Sequence, residues 1–152
     1  MPLITTRRLQ ERLSFIRRVG LGGVRAKVRS FFRGGETSTV EFRHPNFDPP
    51  IAIRVPGTDF KVCRQWVDAA SGGKRSSDCR LVIDAGANIG ASSRMLASRF
   101  PNAIVLAVEL EGSNYGILER NVIDHPRIET IHAGLWSSDE PLLVRSGLNN
   151  HN

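Results

Sequence analysis

Leu81-Val82-Ile83-Asp84-Ala85-Gly86-Ala87-Asn88-Ile89-Gly90-Ala91-Ser92 is the stretch that decides how this chain is read. The apolar run Arg80–Asp84 lacks polar alternation, which predicts a strand buried on both faces, as in a parallel sheet. It enters a tight turn that opens directly into a helix predicted over Ile89–Phe100, with Ile89, Leu96 and Phe100 on its inner side and Pro101-Asn102 as the stop. Gly86 gives backbone freedom where the chain leaves the strand, and its missing side chain lets a ligand approach. Gly90 opens the helix, where unpaired N–H groups and the positive dipole end attract an anion, either a phosphate or an amino-acid carboxylate. Asp84, at the carboxyl end of the strand, is suited to accept from an ammonium group and would repel a phosphate. The turn therefore favours a ligand that carries an amino acid.

Downstream the pattern repeats. A strand is predicted over Ile104–Glu109, a helix over Ser113–Ile123 with Tyr115, Leu118 and Val122 inward, a strand over Ile128–His132, and a short fourth strand at Leu142–Val144. Two strand–helix–strand units in series predict an α/β fold, a Rossmann-like doubly wound and mostly parallel sheet with right-handed crossovers. Glu109 ends the second strand, 25 positions after Asp84 and on the same sheet edge. An acid there is suited to bind both hydroxyls of a ribose. A ligand with an amino acid and a ribose is S-adenosylmethionine. A dinucleotide is disfavoured because the turn reads Gly86-x-Asn88-x-Gly90 rather than GxGxxG. Asn88 either locks the turn through its side chain or touches ligand. Asn121 reads as a cap or surface residue, and Trp66 and Trp136 as core or lid packing.

Upstream, residues 1–35 hold nine Lys/Arg against one acid, Glu11, a net +8, whereas the remaining residues carry −2. This basic arm is predicted to be helical and amphipathic. Leu9, Leu13 and Ile16 form an apolar stripe, Gly20, Gly22 and Gly23 interrupt it, and Val24, Val28, Phe31 and Phe32 are apolar in a second stretch. Three readings compete: a helix docked on the domain by its apolar stripe, weak contact with an anionic membrane, and nucleic-acid binding. No aromatic-interleaved platform or recognised module supports the last, so no nucleic-acid partner is expected. Residues 36–78 read as a strand and helix segment. It comprises a strand at Thr39–Phe42, a proline loop at His44–Pro50, a strand at Ile51–Val55, and a helix capped by Thr58 or Asp59. The inner face of that helix is Phe60, Cys63, Trp66 and Val67, and residues 71–77 read as a solvated linker. Residues 79–152 read as the first half of the S-adenosylmethionine-binding Rossmann-like domain.

Composition is that of a globular chain, with 40% hydrophobic and 24% charged residues. No apolar run reaches the roughly 18 residues of a spanning helix, and the charged N-terminus does not read as a signal peptide. Cys63 and Cys79 lack CxxC spacing and read as buried or partly buried free thiols, so a cytoplasmic location is expected. The four histidines are scattered without metal-ligand spacing, and no metal is expected.

VIDAGANIGASS, VLAVELEGSNYGILERNV and RIETIHAGLWSSDEPLLV together resemble the FkbM family of S-adenosylmethionine-dependent methyltransferases, as does the upstream Arg54-Val-Pro-Gly-Thr-Asp-Phe60. The match covers residues 51–145, with Leu110 and Ser113 departing where prolines are usual. The resemblance implies a class I methyltransferase fold in which Asp84, Gly86, Ala87, Asn88 and Gly90 line the methionine end. By the same resemblance Glu109 binds the ribose, and Ala133 and Gly134 approach the adenine. It also implies O-methylation of a small molecule or sugar acceptor. The family continues into a further acidic strand and an acceptor-binding half, whereas this chain stops before such a domain would be complete. The alternative expectation is a catalytically inactive cofactor-binding fragment or remnant that needs a partner chain. Neither a catalytic base nor an oligomeric state is nominated.

Overall fold

The structure, a computed structural model, describes residues 6–32, 35–70 and 76–138. Its elements run α1 (Thr6–Phe32), β1 (Ser38–His44), β2 (Phe47–Val55), α2 (Asp59–Ala70), β3 (Leu81–Ala85), α3 (Ala91–Arg99), β4 (Ile104–Glu109), α4 (Gly112–Val122) and β5 (Ile128–His132). The strand expected at Leu142–Val144 and most of the linker expected at 71–77 lie outside the described residues. Among the described residues, no helix is long and apolar enough to cross a membrane.

Strands β3, β4 and β5 form a parallel sheet in sequential order, with Asp84 beside Ala107 and Glu109 beside His132. Their apolar composition and the α3 and α4 crossovers give the Rossmann-like α/β architecture expected of alternating strand and helix. Both helices cover the same sheet face. Val82, Val105, Ala107 and Ile128 pack there against Leu96 and Ala97 of α3 and Tyr115, Leu118 and Val122 of α4. The opposite face carries Leu81 and Ile83, each 56% exposed, together with exposed Ile104 and Ile131. The expectation that β3 is buried on both faces therefore does not hold for the described residues. Two successive crossovers without a reversal of strand order put α3 and α4 on one side.

Arg127 closes the far end of α3. Its guanidinium donates to the carbonyls of Ala97 (2.8 Å), Phe100 (3.0 Å) and Ala103 (3.1 Å), which are the orphan acceptors of a helix C-terminus and the loop after it.

The upstream segment packs on the outer side of the helical layer. β1 and β2 form an antiparallel hairpin, and Phe42, Ile51, Ile53, Cys63, Ile89 and Ala91 share one core cluster. Burying each large aliphatic or aromatic side chain there contributes roughly 1.5–3 kcal/mol. Phe60, Cys63, Trp66 and Val67 line the inner side of α2 as expected. Burial also pushes the Cys63 thiol up to about 12, so it is an inert core residue; Cys79 is likewise free.

Three local expectations are corrected. The proline segment expected as a loop belongs largely to β2, because Pro49 and Pro50 occupy an irregularity between the Phe42–Ile51 and His44–Phe47 pairs, where no ladder N–H is required of them. Asp59 does not cap α2. Its carboxylate turns back to Arg54, and Thr58, the other candidate, holds the position before the helix with its carbonyl receiving the Lys61 and Val62 amides. The arm does dock, but not by Leu13 and Ile16, which are exposed. Gly20 (φ 60°, ψ −165°) breaks α1 into two halves, and the docked side is Phe15, Val19, Gly23, Ala26 and Ser30. Phe15 meets Phe60 edge-on at 5.0 Å, and small residues in the second half let the helix lie close to the hairpin.

Candidate functional site

Parallel pairing brings the carboxyl ends of β3, β4 and β5 to one edge of the sheet, where open α/β sheets place their ligands. Asp84 pairs with Ala107, so Glu109, two residues further, shares its sheet face. Both carboxylates are nearly withdrawn from solvent, Asp84 being 9% and Glu109 8% exposed. Between them lies the turn from Gly86 to Gly90.

The turn is built from left-handed backbone: Gly86 has φ +80°, Asn88 +52° and Gly90 +82°. The Gly86 and Ala87 amides both donate to the Val108 carbonyl, at 2.9 Å each, which holds the turn against the end of β4. A Cβ on Gly86 would meet nothing within 4 Å, so its missing side chain leaves open space over the turn. Gly90 differs. A Cβ there would stand 2.8 Å from Leu118 Cδ1 and 3.3 Å from Val122 Cγ1, and its amide already donates to the Ala87 carbonyl. Its lack of a side chain serves the contact between the start of α3 and α4.

Asp84 is held from α3. The hydroxyls of Ser92 (2.7 Å) and Ser93 (2.6 Å) both donate to its Oδ2, and the carboxylate lies under the positive end of the helix. Oδ1 receives neither hydroxyl. Glu109 braces two loops, with Oε2 accepting from the Asn88 amide (2.8 Å) and Oε1 from the Glu111 amide (2.9 Å). Each carboxylate oxygen has two lone pairs, so both acids keep accepting capacity. Asn88 does not lock the turn through its side chain. Its backbone amide does so, through Glu109, while its buried Oδ1 has no partner. A buried, unsatisfied carbonyl oxygen costs on the order of 1–3 kcal/mol unless a donor reaches it. After β5, the Ala133 amide donates to the carbonyls of Glu109 and Ile131 at 3.1 Å each, and Gly134 faces the Leu110 side chain. All eight predicted positions thus converge on one sheet edge.

His132 stacks on Tyr115 (4.5 Å, 12° between planes), and its Nε2 lies 3.2 Å from the Leu110 carbonyl. A carbonyl can only accept, so that nitrogen carries the proton. Trp136 is exposed rather than packed as core, whereas Trp66 packs against the hairpin core.

Several supporting residues escaped the sequence reading. Ser92 and Ser93 were visible only as the end of the GASS run. Arg54 grips Asp59 with Nε (2.9 Å) and Nη2 (3.0 Å), and donates to Ser113 Oγ (2.9 Å) and Asn114 Oδ1. The Asp59 hydrogen bond holds the Arg54 guanidinium above its ordinary pKa. Asn121, expected as a cap or surface residue, ties three elements together. Its Oδ1 accepts from the Ala52 amide (2.7 Å), and its Nδ2 donates to the carbonyls of Ala52 (2.9 Å) and Ile89 (2.8 Å). The Leu118-x-x-Asn121 spacing was the available signal.

Glu111 caps α4 by accepting from the Ser113 amide and hydroxyl and the Asn114 amide; a proline at 113 would have removed the first two of these donors. The Ser113 hydroxyl, followed by these amides, lowers the Glu111 pKa. A carboxyl depressed in the folded state stabilises fully above its unfolded value, about 4.3, and loses that contribution as pH falls through the folded value. Glu111→Ala is therefore expected to melt below wild type at pH 7, with the two curves converging in acid. Parallel curves across the titration would refute the cap.

Several solved structures share this fold, two of them as follows. Pyrococcus horikoshii TYW2 in complex with MeSAdo matches at 19% identity over 72% of this chain and 46% of that chain, with a TM-score of 0.50. The P. horikoshii protein PH0793 matches at 18% identity over 74% and 47%, also with a TM-score of 0.50. No family model matches the sequence, and no curated protein is similar to it. At these identities the likeness is one of fold, and it supports the Rossmann-like assignment. The chain spans about half the length of the structures it matches.

Proposed function

We propose that this chain carries the S-adenosylmethionine-binding half of an FkbM-like methyltransferase that acts on a hydroxyl of a small molecule or sugar. The observation that carries the reading is the pair of sheltered carboxylates, Asp84 and Glu109, on one sheet face with a left-handed glycine turn between them. Two acids beside a helix N-terminus repel a pyrophosphate but suit a ligand with an ammonium and a sugar diol. The residues fit this cofactor. Gly86 leaves room, Asn88 Oδ1 lacks a donor, and Asp84 Oδ1 takes no bond from the serines that hold its partner oxygen.

In this reading Asp84 accepts from the ammonium, the first-turn amides of α3 face the carboxylate, Glu109 accepts from the ribose hydroxyls, and Ala133 and Gly134 flank the adenine. The cofactor supplies a methyl already activated on a sulfonium, so the protein's work is orientation and exclusion of water. His132 stacks on Tyr115 and meets the Leu110 carbonyl through Nε2, and no residue is assigned as a base.

Calorimetric titration of S-adenosylmethionine into the folded chain tests the site. Binding is expected for wild type, with a loss of at least about tenfold in Asp84→Asn, equivalent to about 1.4 kcal/mol. Equal affinities for the two proteins, both cooperatively folded by thermal melting, would remove Asp84 from the site.

The uncovered sheet face supports a second reading, a binding half without turnover that needs a further polypeptide over Leu81, Ile83, Ile104 and Ile131. Methyl transfer by the purified monomer to a hydroxyl acceptor would exclude it.

A further inference from the structure

The arm docks with the wrong side outward for a simple surface helix. In its second half, Gly23, Ala26 and Ser30 face the domain and are buried, whereas Leu21, Val28, Phe31 (84% exposed) and Phe32 (79% exposed) are exposed. At 3.6 residues per turn, Leu21, Val28 and Phe32 stack on the side opposite Gly23, Ala26 and Ser30, with Phe31 beside them. The first half repeats the pattern: Phe15 and Val19 are docked, while Leu13 and Ile16 are exposed. In the second half, small residues hold the helix to the protein and the large apolar residues point away from it.

The charges follow the same outward side. Arg25 and Arg29 flank one edge of the Leu21–Val28–Phe32 row, and Arg12 and Arg17 lie beside Leu13 and Ile16; all four are exposed, whereas Lys27 turns back over the docked Phe15 ring at 5.3 Å. We propose that the outward face of α1 is a surface for anionic phospholipid, with the helix lying in the plane of the bilayer. A bilayer meets both features at once, since acyl chains receive the phenylalanines while headgroup phosphates receive the guanidiniums one layer above. A nucleic acid would satisfy only the cations, because Phe31 and Phe32 stand edge-on to one another at 88° rather than as a stacking platform. An ordinary protein partner would have to match guanidiniums ranged beside a narrow apolar row. The docked inner face of α1 leaves the opposite side free to approach a flat surface without unfolding.

Sedimentation of the full chain with liposomes tests this. Binding is expected to vesicles of phosphatidylserine and phosphatidylcholine and not to phosphatidylcholine alone. The double variant Phe31→Ser, Phe32→Ser is expected to weaken binding by at least about tenfold with an unchanged melting temperature, since neither ring is buried. Arg25→Gln, Arg29→Gln is expected to weaken it about tenfold as well. Protein left in the supernatant with anionic vesicles overturns the proposal. So does sedimentation that survives the phenylalanine variant, which would mean charge attraction alone. Concentration-dependent dimers abolished by that same variant, without vesicle binding, would assign the face to a second copy of the chain and equally overturn it.

Discussion

Asn121→Ala is expected to lower stability by about 3 kcal/mol, or roughly 10 °C in melting temperature for a chain of this size. The asparagine amide acts as a third strand would. Ala52 pairs with Glu41 on one side, and on the other its amide and carbonyl meet only the Asn121 side chain. The same Nδ2 holds the Ile89 carbonyl at the back of the glycine turn. Removing the side chain strands three backbone groups in a region closed by Ile51, Ile53 and Ile89, all fully buried, so water reaches them poorly. Asn121→Asp, which keeps the acceptor but sets a carboxylate oxygen against the Ala52 and Ile89 carbonyls, is expected to be no more stable than alanine near neutral pH. A melting temperature within 2 °C or so of wild type for Asn121→Ala would show that the staple contributes little.

The second large effect separates two glycines that the sequence presents as equivalents. Gly86→Ala and Gly90→Ala share the same backbone strain, about 1 kcal/mol for an alanine held in the left-handed region. Only Gly90→Ala adds a collision, because Leu118 is fully buried and has no room to rotate away from the new methyl. Overpacking of that kind raises the total cost to about 3 kcal/mol. Gly86→Ala is therefore expected to melt about 3 °C below wild type, and Gly90→Ala about 10 °C below. On the proposed function, binding reverses the order. The Gly86 methyl projects over the turn and is expected to weaken S-adenosylmethionine at least about tenfold, although that protein is the better folded of the two. Melting curves decide the packing claim and calorimetry the binding claim, so each can fail without the other. Equal destabilisation by the two substitutions would end the distinction.

These contrasts mark where the sequence was legible. Strands β4 and β5 fall where their apolar runs predict them, and α4 within a residue at either end, because each is bounded by strong local stops. Asp84 and Glu109 were legible as partners because parallel strands with short connections leave little freedom in which edge their ends reach. The prolines of β2 were not legible as strand, since only the partner's register shows that Pro49 and Pro50 lie where no hydrogen bond is needed. Asp59 looked like a cap because caps are local, and the Arg54 side chain that captures it comes from the preceding strand.

Local chemistry thus determined the alternating strand and helix order, the left-handed glycine turn and the presence of two acids at strand ends. All of these follow from the spacing of apolar residues, glycines and carboxylates along a few turns of chain. Tertiary packing alone decided which side of α1 docks, which sheet face is exposed among the described residues, that Gly90 serves Leu118, and that Asn121 closes β2 from 69 positions away. The reason is physical. A periodic pattern tells which side chains share a side of a helix or strand, but not which side wins the contact, because that depends on the shape and hydrogen-bonding groups another segment brings to it.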